Sequence, residues 1–212
     1  MEIKNKKINF LGDSITEGVG VSAPEFKYVE VFARKFEPAL VRNYGISGTR
    51  FARQYTPTVN NPRFDLDFCS RVAEMDDDAD IVVVFGGTND YGHGDAPMGT
   101  FADRTPDTFY GACHTLMSSL IEKYPAATIV FMTPLHRSTE NRANREPLSA
   151  FVSVIREVAQ FYSIPVLDLY ATAGIQPQLS VHREMYAPDG LHPNNTGAEK
   201  IANRLGAFLN TL

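Results

Sequence analysis

The chain has 212 residues, 43% of them apolar and 21% charged, the balance of an ordinary globular protein and not of a disordered one. Twenty Lys and Arg against 25 Asp and Glu leave a net charge of −5, which argues against a general nucleic-acid binder with its basic excess. The longest apolar stretches, such as 81–85 and 126–132, fall far short of the roughly 20 residues that a membrane helix needs.

At roughly 100–200 residues per domain, this length predicts one domain over residues 1–212. The charged start, Met1 to Lys7, is followed by only Ile8–Leu11 before Gly12-Asp13, too short a stretch for a secretion signal, so the expected location is the cytoplasm. Two cysteines, Cys69 and Cys113, cannot form a disulfide framework, and both lie in helical patterns, where reduced buried thiols are expected. The oligomeric state is left open.

In chain order, apolar β-rich runs at 7–11, 40–44, 81–85, 128–132 and 164–167 alternate with segments of helical period. Tyr28, Phe32 and Phe36 predict a helix after the first strand, and Phe68, Val72 and Met75 a shorter one after the second. Phe109, Cys113, Leu116, Leu120 and Tyr124 form a stripe whose start is assigned to Thr105-Pro106-Asp107, a cap, a first-turn proline and an acid. A second stripe runs Leu148, Phe151, Ile155, Val158, Tyr162 behind Pro147, and a third Ala198, Ile201, Leu205, Phe208.

Strands alternating with helices imply an α/β fold, a three-layer α/β/α sandwich around a parallel sheet. In such sheets ligands sit outside the carboxyl ends of the strands, so function belongs in the loops after them. Four of these segments are unusual. After the first strand comes Gly12-Asp13-Ser14-Ile15, with a serine presented at the sheet rim or, more plainly, a capped strand-to-helix turn. After the second comes Asn43-Tyr44-Gly45-Ile46-Ser47-Gly48, where glycine permits a close backbone approach or simply turns the chain. After the third comes Gly86-Gly87-Thr88-Asn89-Asp90, whose amide can face a developing negative charge or bond its own backbone. Near the C-terminus, Asp189 and His192 stand three apart, so that one turn can set the carboxylate against Nδ1–H and leave Nε2 as a base.

With strand order 2-1-3-4-5, Ser14, Gly48 and Asn89 would lie side by side on one rim. These four segments, in this order, resemble the SGNH branch of the GDSL-type esterases and lipases. The resemblance implies a flavodoxin-like five-stranded sheet and serine esterase chemistry with no metal and no cofactor. It makes Ser14 the nucleophile, Asp189 and His192 the rest of a triad, and the N–H groups of Ser14 and Gly48 with the Asn89 amide the oxyanion hole. Thr49 stands where many relatives carry an acid.

Asp13, Arg50, Tyr91 and His136 are taken as substrate contacts on the same rim. Two long loops, 91–104 and 135–146, leave that rim, and Arg50, Arg53, Arg137, Arg142 and Arg145 would suit a polar or anionic substrate portion unless they are merely solvated. His93 with Asp95 lacks the further ligands of a closed metal site. His114 reads as a structural histidine, His182 as an exposed one, and Asp76-Asp77-Asp78 as a solvated turn. The expected partner is a small-molecule or carbohydrate ester with a short acyl group. A lysophospholipase or thioesterase acting on longer chains, an acyltransferase, and a non-catalytic sugar- or nucleotide-binding module are the rivals.

Overall fold

The computed structural model describes residues 2–141, 143 and 145–212. Among these, β1 (Lys7–Gly12), β2 (Leu40–Gly45), β3 (Ile81–Phe85), β4 (Thr128–Met132) and β5 (Val166–Leu167) form one parallel sheet in the order β2-β1-β3-β4-β5. That is the expected order and class. β3, at the centre, is buried along its whole length, and its side chains alternate between two cores.

On one face Val82 and Val84 join Leu11 and Phe131 under α5 (Phe109–Lys123) and α6 (Leu148–Phe161), with α3 (Phe68–Arg71) beside them. On the other, Ile81, Val83 and Phe85 join Phe10 and Val130 under α2 (Tyr28–Phe36) and α9 (Asn195–Leu209). These are the three layers. Four short helices complete the rim: α1 (Ser14–Glu17), α4 (Thr88–His93), α7 (Leu169–Thr172) and α8 (Ser180–Tyr186).

Four details depart from the sequence reading. β5 is two residues long, because Pro165 has no N–H to donate and its carbonyl merely accepts from Phe131. The cap of α5 is Thr108, whose hydroxyl accepts from the Gly111 N–H at 3.0 Å; Thr105-Pro106-Asp107 lies in the turn before it. Residues 88–93 form helix α4, so the loop placed at 91–104 begins later. His182 is half-buried, with its Nδ1 accepting from the Gln176 N–H at 3.2 Å.

Asp76, Asp77 and Asp78 are exposed as expected, yet each makes an ion pair, with Arg42, Lys123 and Lys7 or Arg42 respectively. Cys113 is buried and Cys69 half-buried, both as free thiols. Among the described residues no helix is long and apolar enough to cross a membrane.

Candidate active site

The first strand delivers Ser14 to the rim as the opening residue of α1. Asp13 caps that helix, its carboxylate accepting from the Ile15 N–H at 3.0 Å, so both meanings of the Gly-Asp-Ser turn hold at once. Ser14 is 6% exposed, and its Oγ lies 2.9 Å from Nε2 of His192.

His192 comes from the loop between α8 and α9. Its Nδ1 donates to Asp189 Oδ2 at 2.6 Å, while Asp189 Oδ1 accepts from the N–H groups of Leu191 and His192 at 2.8 and 2.7 Å. Partial burial pushes the Asp189 carboxyl upward, but the three donors outweigh it and hold it below the ordinary carboxylate range. An ionised carboxylate fixes the imidazole with Nε2 free to accept the serine proton. The Asp189 side chain is 54% exposed, unlike the serine it serves through His192.

Gly48 follows β2 with φ +77°, the left-handed region, in a turn closed by the Thr49 N–H and hydroxyl on the Ile46 carbonyl. A Cβ there would meet the Phe64 ring at 2.5 Å. Asn89 in α4 donates from Nδ2 to the Thr49 carbonyl at 3.0 Å. An amide nitrogen carries two hydrogens, so one remains for another acceptor. Among the described residues the N–H groups of Ser14 and Gly48 meet no acceptor. The rim therefore holds a serine hydrogen-bonded to an imidazole and, beside it, the N–H groups of Ser14 and Gly48 and the Asn89 amide.

The residues taken as substrate contacts are placed differently. Tyr91 is 1% exposed, its hydroxyl donating to the Thr139 carbonyl and its ring edge-on to Phe151, so it belongs to the core. Asp13 is buried beneath the rim. Arg50 is 2% exposed, bonded to Asp65, the Phe64 carbonyl and Nδ1 of His93. His136 is half-buried, its Nδ1 2.7 Å from Glu140 and its ring tilted 35° against Tyr170 with centroids 3.9 Å apart.

The remaining arginines tie elements together. Arg53 pairs with Asp107, Arg137 donates to the Thr88 carbonyl, and Arg145 to the Tyr91 and Gly94 carbonyls. Arg142 lies outside the described residues. Asp95 accepts from the Tyr55 and Thr56 N–H groups. His114 is buried against Phe101, Phe161 and Tyr162, as a structural histidine would be.

Two rim residues received no role of their own in the sequence reading, although Asp90 closes the third motif. Asp90 accepts from the N–H groups of Phe51 and Ala52 at 3.0 and 2.9 Å, fastening the loop after β2 to α4. Arg71, at the end of α3, donates to Thr49 Oγ1, to the Gly12 carbonyl and to the Tyr44 carbonyl. Burial raises the carboxyl of Asp90 to about 6 against the pull of those N–H groups, and that of Asp13 to about 7, where Asp90 adds repulsion.

The GDSL-like lipase/acylhydrolase family model matches residues 10–200. No curated protein matches the sequence significantly. Among solved structures, a Lactobacillus plantarum protein is 29% identical with a TM-score of 0.87, over 99% of this chain and 98% of its own. A lipase/acylhydrolase from Enterococcus faecalis is 22% identical with a TM-score of 0.69, covering 97% and 96%. An acetyl xylan esterase is 17% identical with a TM-score of 0.67, covering 96% and 99%. These last two are likenesses of fold. With the family match spanning the rim from Ser14 to His192, the chain belongs to the GDSL-like lipase/acylhydrolase family and is a carboxylic ester hydrolase.

Proposed function

We propose that the protein is a serine esterase that works through an acyl-enzyme on Ser14. The observation that carries this reading is the unbroken relay from Asp189 through His192 to the Ser14 hydroxyl, at 2.6 and 2.9 Å. Nε2 of His192 takes the hydroxyl proton as Oγ bonds to the ester carbon and the carbonyl electron pair moves onto its oxygen. The oxyanion is met by the N–H groups of Ser14 and Gly48 and by the Asn89 amide. Collapse breaks the bond to the leaving oxygen, which takes the proton from His192. Water then repeats the sequence, releasing the acid and restoring Ser14.

The substrate in this reading is a short acyl ester, such as an acetyl group, on a polar or carbohydrate carrier. Its support is that an acetyl xylan esterase shares the fold. The test is a panel of esters of rising acyl length, with acetylated sugars, assayed with wild-type protein and Ser14→Ala. The expected result is fastest turnover of acetyl esters and loss of about 10⁶-fold in Ser14→Ala, since triad members act as a unit. Turnover surviving unchanged in Ser14→Ala would overturn the assignment, and a preference for long chains would overturn the substrate.

A further inference from the structure

We infer that Arg71 is a positioning residue for the oxyanion hole, an inference that rests on the site proposed above. Its side chain is 3% exposed and lies over the Phe68 ring, with Cζ 4.8 Å from the ring centre. Nη1 donates to Thr49 Oγ1 at 2.8 Å; Nη2 donates to the Gly12 carbonyl at 3.1 Å and to the Tyr44 carbonyl. These acceptors belong to the two chain segments that supply backbone donors to the oxyanion. Gly12 lies two residues before Ser14, Thr49 is the residue after Gly48, and Tyr44 is in the strand leading to that turn.

The turn from Ile46 to Thr49 is held at both ends. At the near end the Ile46 N–H donates to the Gly12 carbonyl at 3.1 Å, the same oxygen that Arg71 reaches. At the far end Thr49 receives Arg71 on its hydroxyl and Asn89 on its carbonyl. Gly48, with φ +77°, sits between these anchors, and a left-handed glycine has no side chain of its own to fix it. The guanidinium thereby sets the spacing between the N–H of Ser14 and the N–H of Gly48.

Burying a guanidinium costs free energy that an apolar side chain of the same volume would not, and among the described residues Arg71 makes no hydrogen bond to a carboxylate. Its planar fork of donors instead spans three fixed acceptors, a geometry that a lysine ammonium would not reproduce. Asp90 is the counterpart on the next loop, but it grips Phe51 and Ala52, beyond the turn, and not Gly48 itself.

The test compares Arg71→Ala, Arg71→Lys and Thr49→Val with wild-type protein. It measures kcat and KM on an acetyl ester, affinity for a trifluoromethyl ketone that adds to Ser14, and affinity for the matching amide as a ground-state mimic. Misplaced donors weaken only what carries the oxyanion. We expect Arg71→Ala to lose about 10²-fold in kcat and in ketone affinity, the scale of one lost donor, with KM and amide affinity little changed. Methylguanidinium should restore part of the activity of Arg71→Ala and none of that of Ser14→Ala. Arg71→Lys, a point charge without the fork, should fall short of wild type.

Should Arg71→Ala fail to fold, Thr49→Val carries the same test. It removes the hydroxyl that accepts from Arg71 and donates to the Ile46 carbonyl, and should lower ketone affinity selectively by at least about tenfold, the size of one lost hydrogen bond to a charged group. Ketone and amide affinities falling together, or wild-type values in Thr49→Val and Arg71→Lys, would overturn the role of Arg71. A wild-type protein inert to both ester and fluorophosphonate would overturn the site itself, and this inference with it.

Discussion

Nδ2 of Asn89 donates to the Thr49 carbonyl at 3.0 Å, so the side chain proposed to meet the oxyanion also pins the turn that carries Gly48. Asn89→Ala removes both effects. We expect a loss of about 10²–10³-fold in kcat, the range for one oxyanion donor, with the larger figure if the turn loosens. Stopped-flow measurement of acylation would check it, and a loss under about threefold would remove Asn89 from the oxyanion hole.

Asp189→Asn should preserve the loop and abolish the chemistry. An amide oxygen can still accept from Leu191 and His192, but its NH₂ faces Nδ1 and forces the proton onto Nε2, the wrong tautomer for accepting from Ser14. The expected drop in kcat is about 10⁴-fold. The same thermal midpoint in variant and wild type, with that drop, would separate tautomer from folding.

Gly20 lies against the base-bearing loop with φ +99°; a Cβ there would stand 2.6 Å from the Pro193 carbonyl oxygen and 2.9 Å from His192 Cβ. Gly20→Ala should push the imidazole away from Ser14 while leaving the identity of both residues unchanged. A shift of about 1 Å can cost about 10²-fold in rate, and the fluorophosphonate labelling rate should fall by that order. Unchanged labelling would mean that the backbone absorbs the methyl group elsewhere.

The two buried carboxyls give a pH dependence with a definite sign. Asp13, raised to about 7, and Asp90, raised to about 6, hold protons in the folded chain that the unfolded chain releases nearer 3.8. Between those limits the native state binds more protons, so stability falls as pH rises and levels off above about 7. Asp13→Asn keeps an oxygen for the Ile15 N–H while removing the charge. It should leave stability near pH 4 almost unaltered and raise it near pH 8, as read from denaturation midpoints across that range. Parallel curves for variant and wild type would refute it.

Much of this was legible in the sequence where the constraint is local. β3 and β4 begin and end where apolar β-branched runs predict, because strands covered on both faces are almost wholly apolar. Ser14, Asp189 and His192 were legible through short motifs whose spacing fixes their geometry. Tyr91 was misjudged because Gly92-His93-Gly94 reads as a loop, whereas α4 carries the tyrosine inward. The contacts of Arg71 and Asp90 gave no signal, since the groups they bond lie 22 to 59 residues away and nothing beside them in sequence hints at the pairing.

Asp189 and His192 satisfy one another within a four-residue stretch, and that stretch is also latched to the loop after β4, where the Ser138 N–H donates to the Gly190 carbonyl at 2.8 Å. The base and its orienting acid thus travel as a cassette, and only a single separation, imidazole to hydroxyl, is left for the rest of the molecule to set. A chimera receiving residues 187–193 from a homologous hydrolase would import a ready-made proton acceptor. Its success would turn on whether the recipient keeps a glycine at position 20 and a latch at position 138.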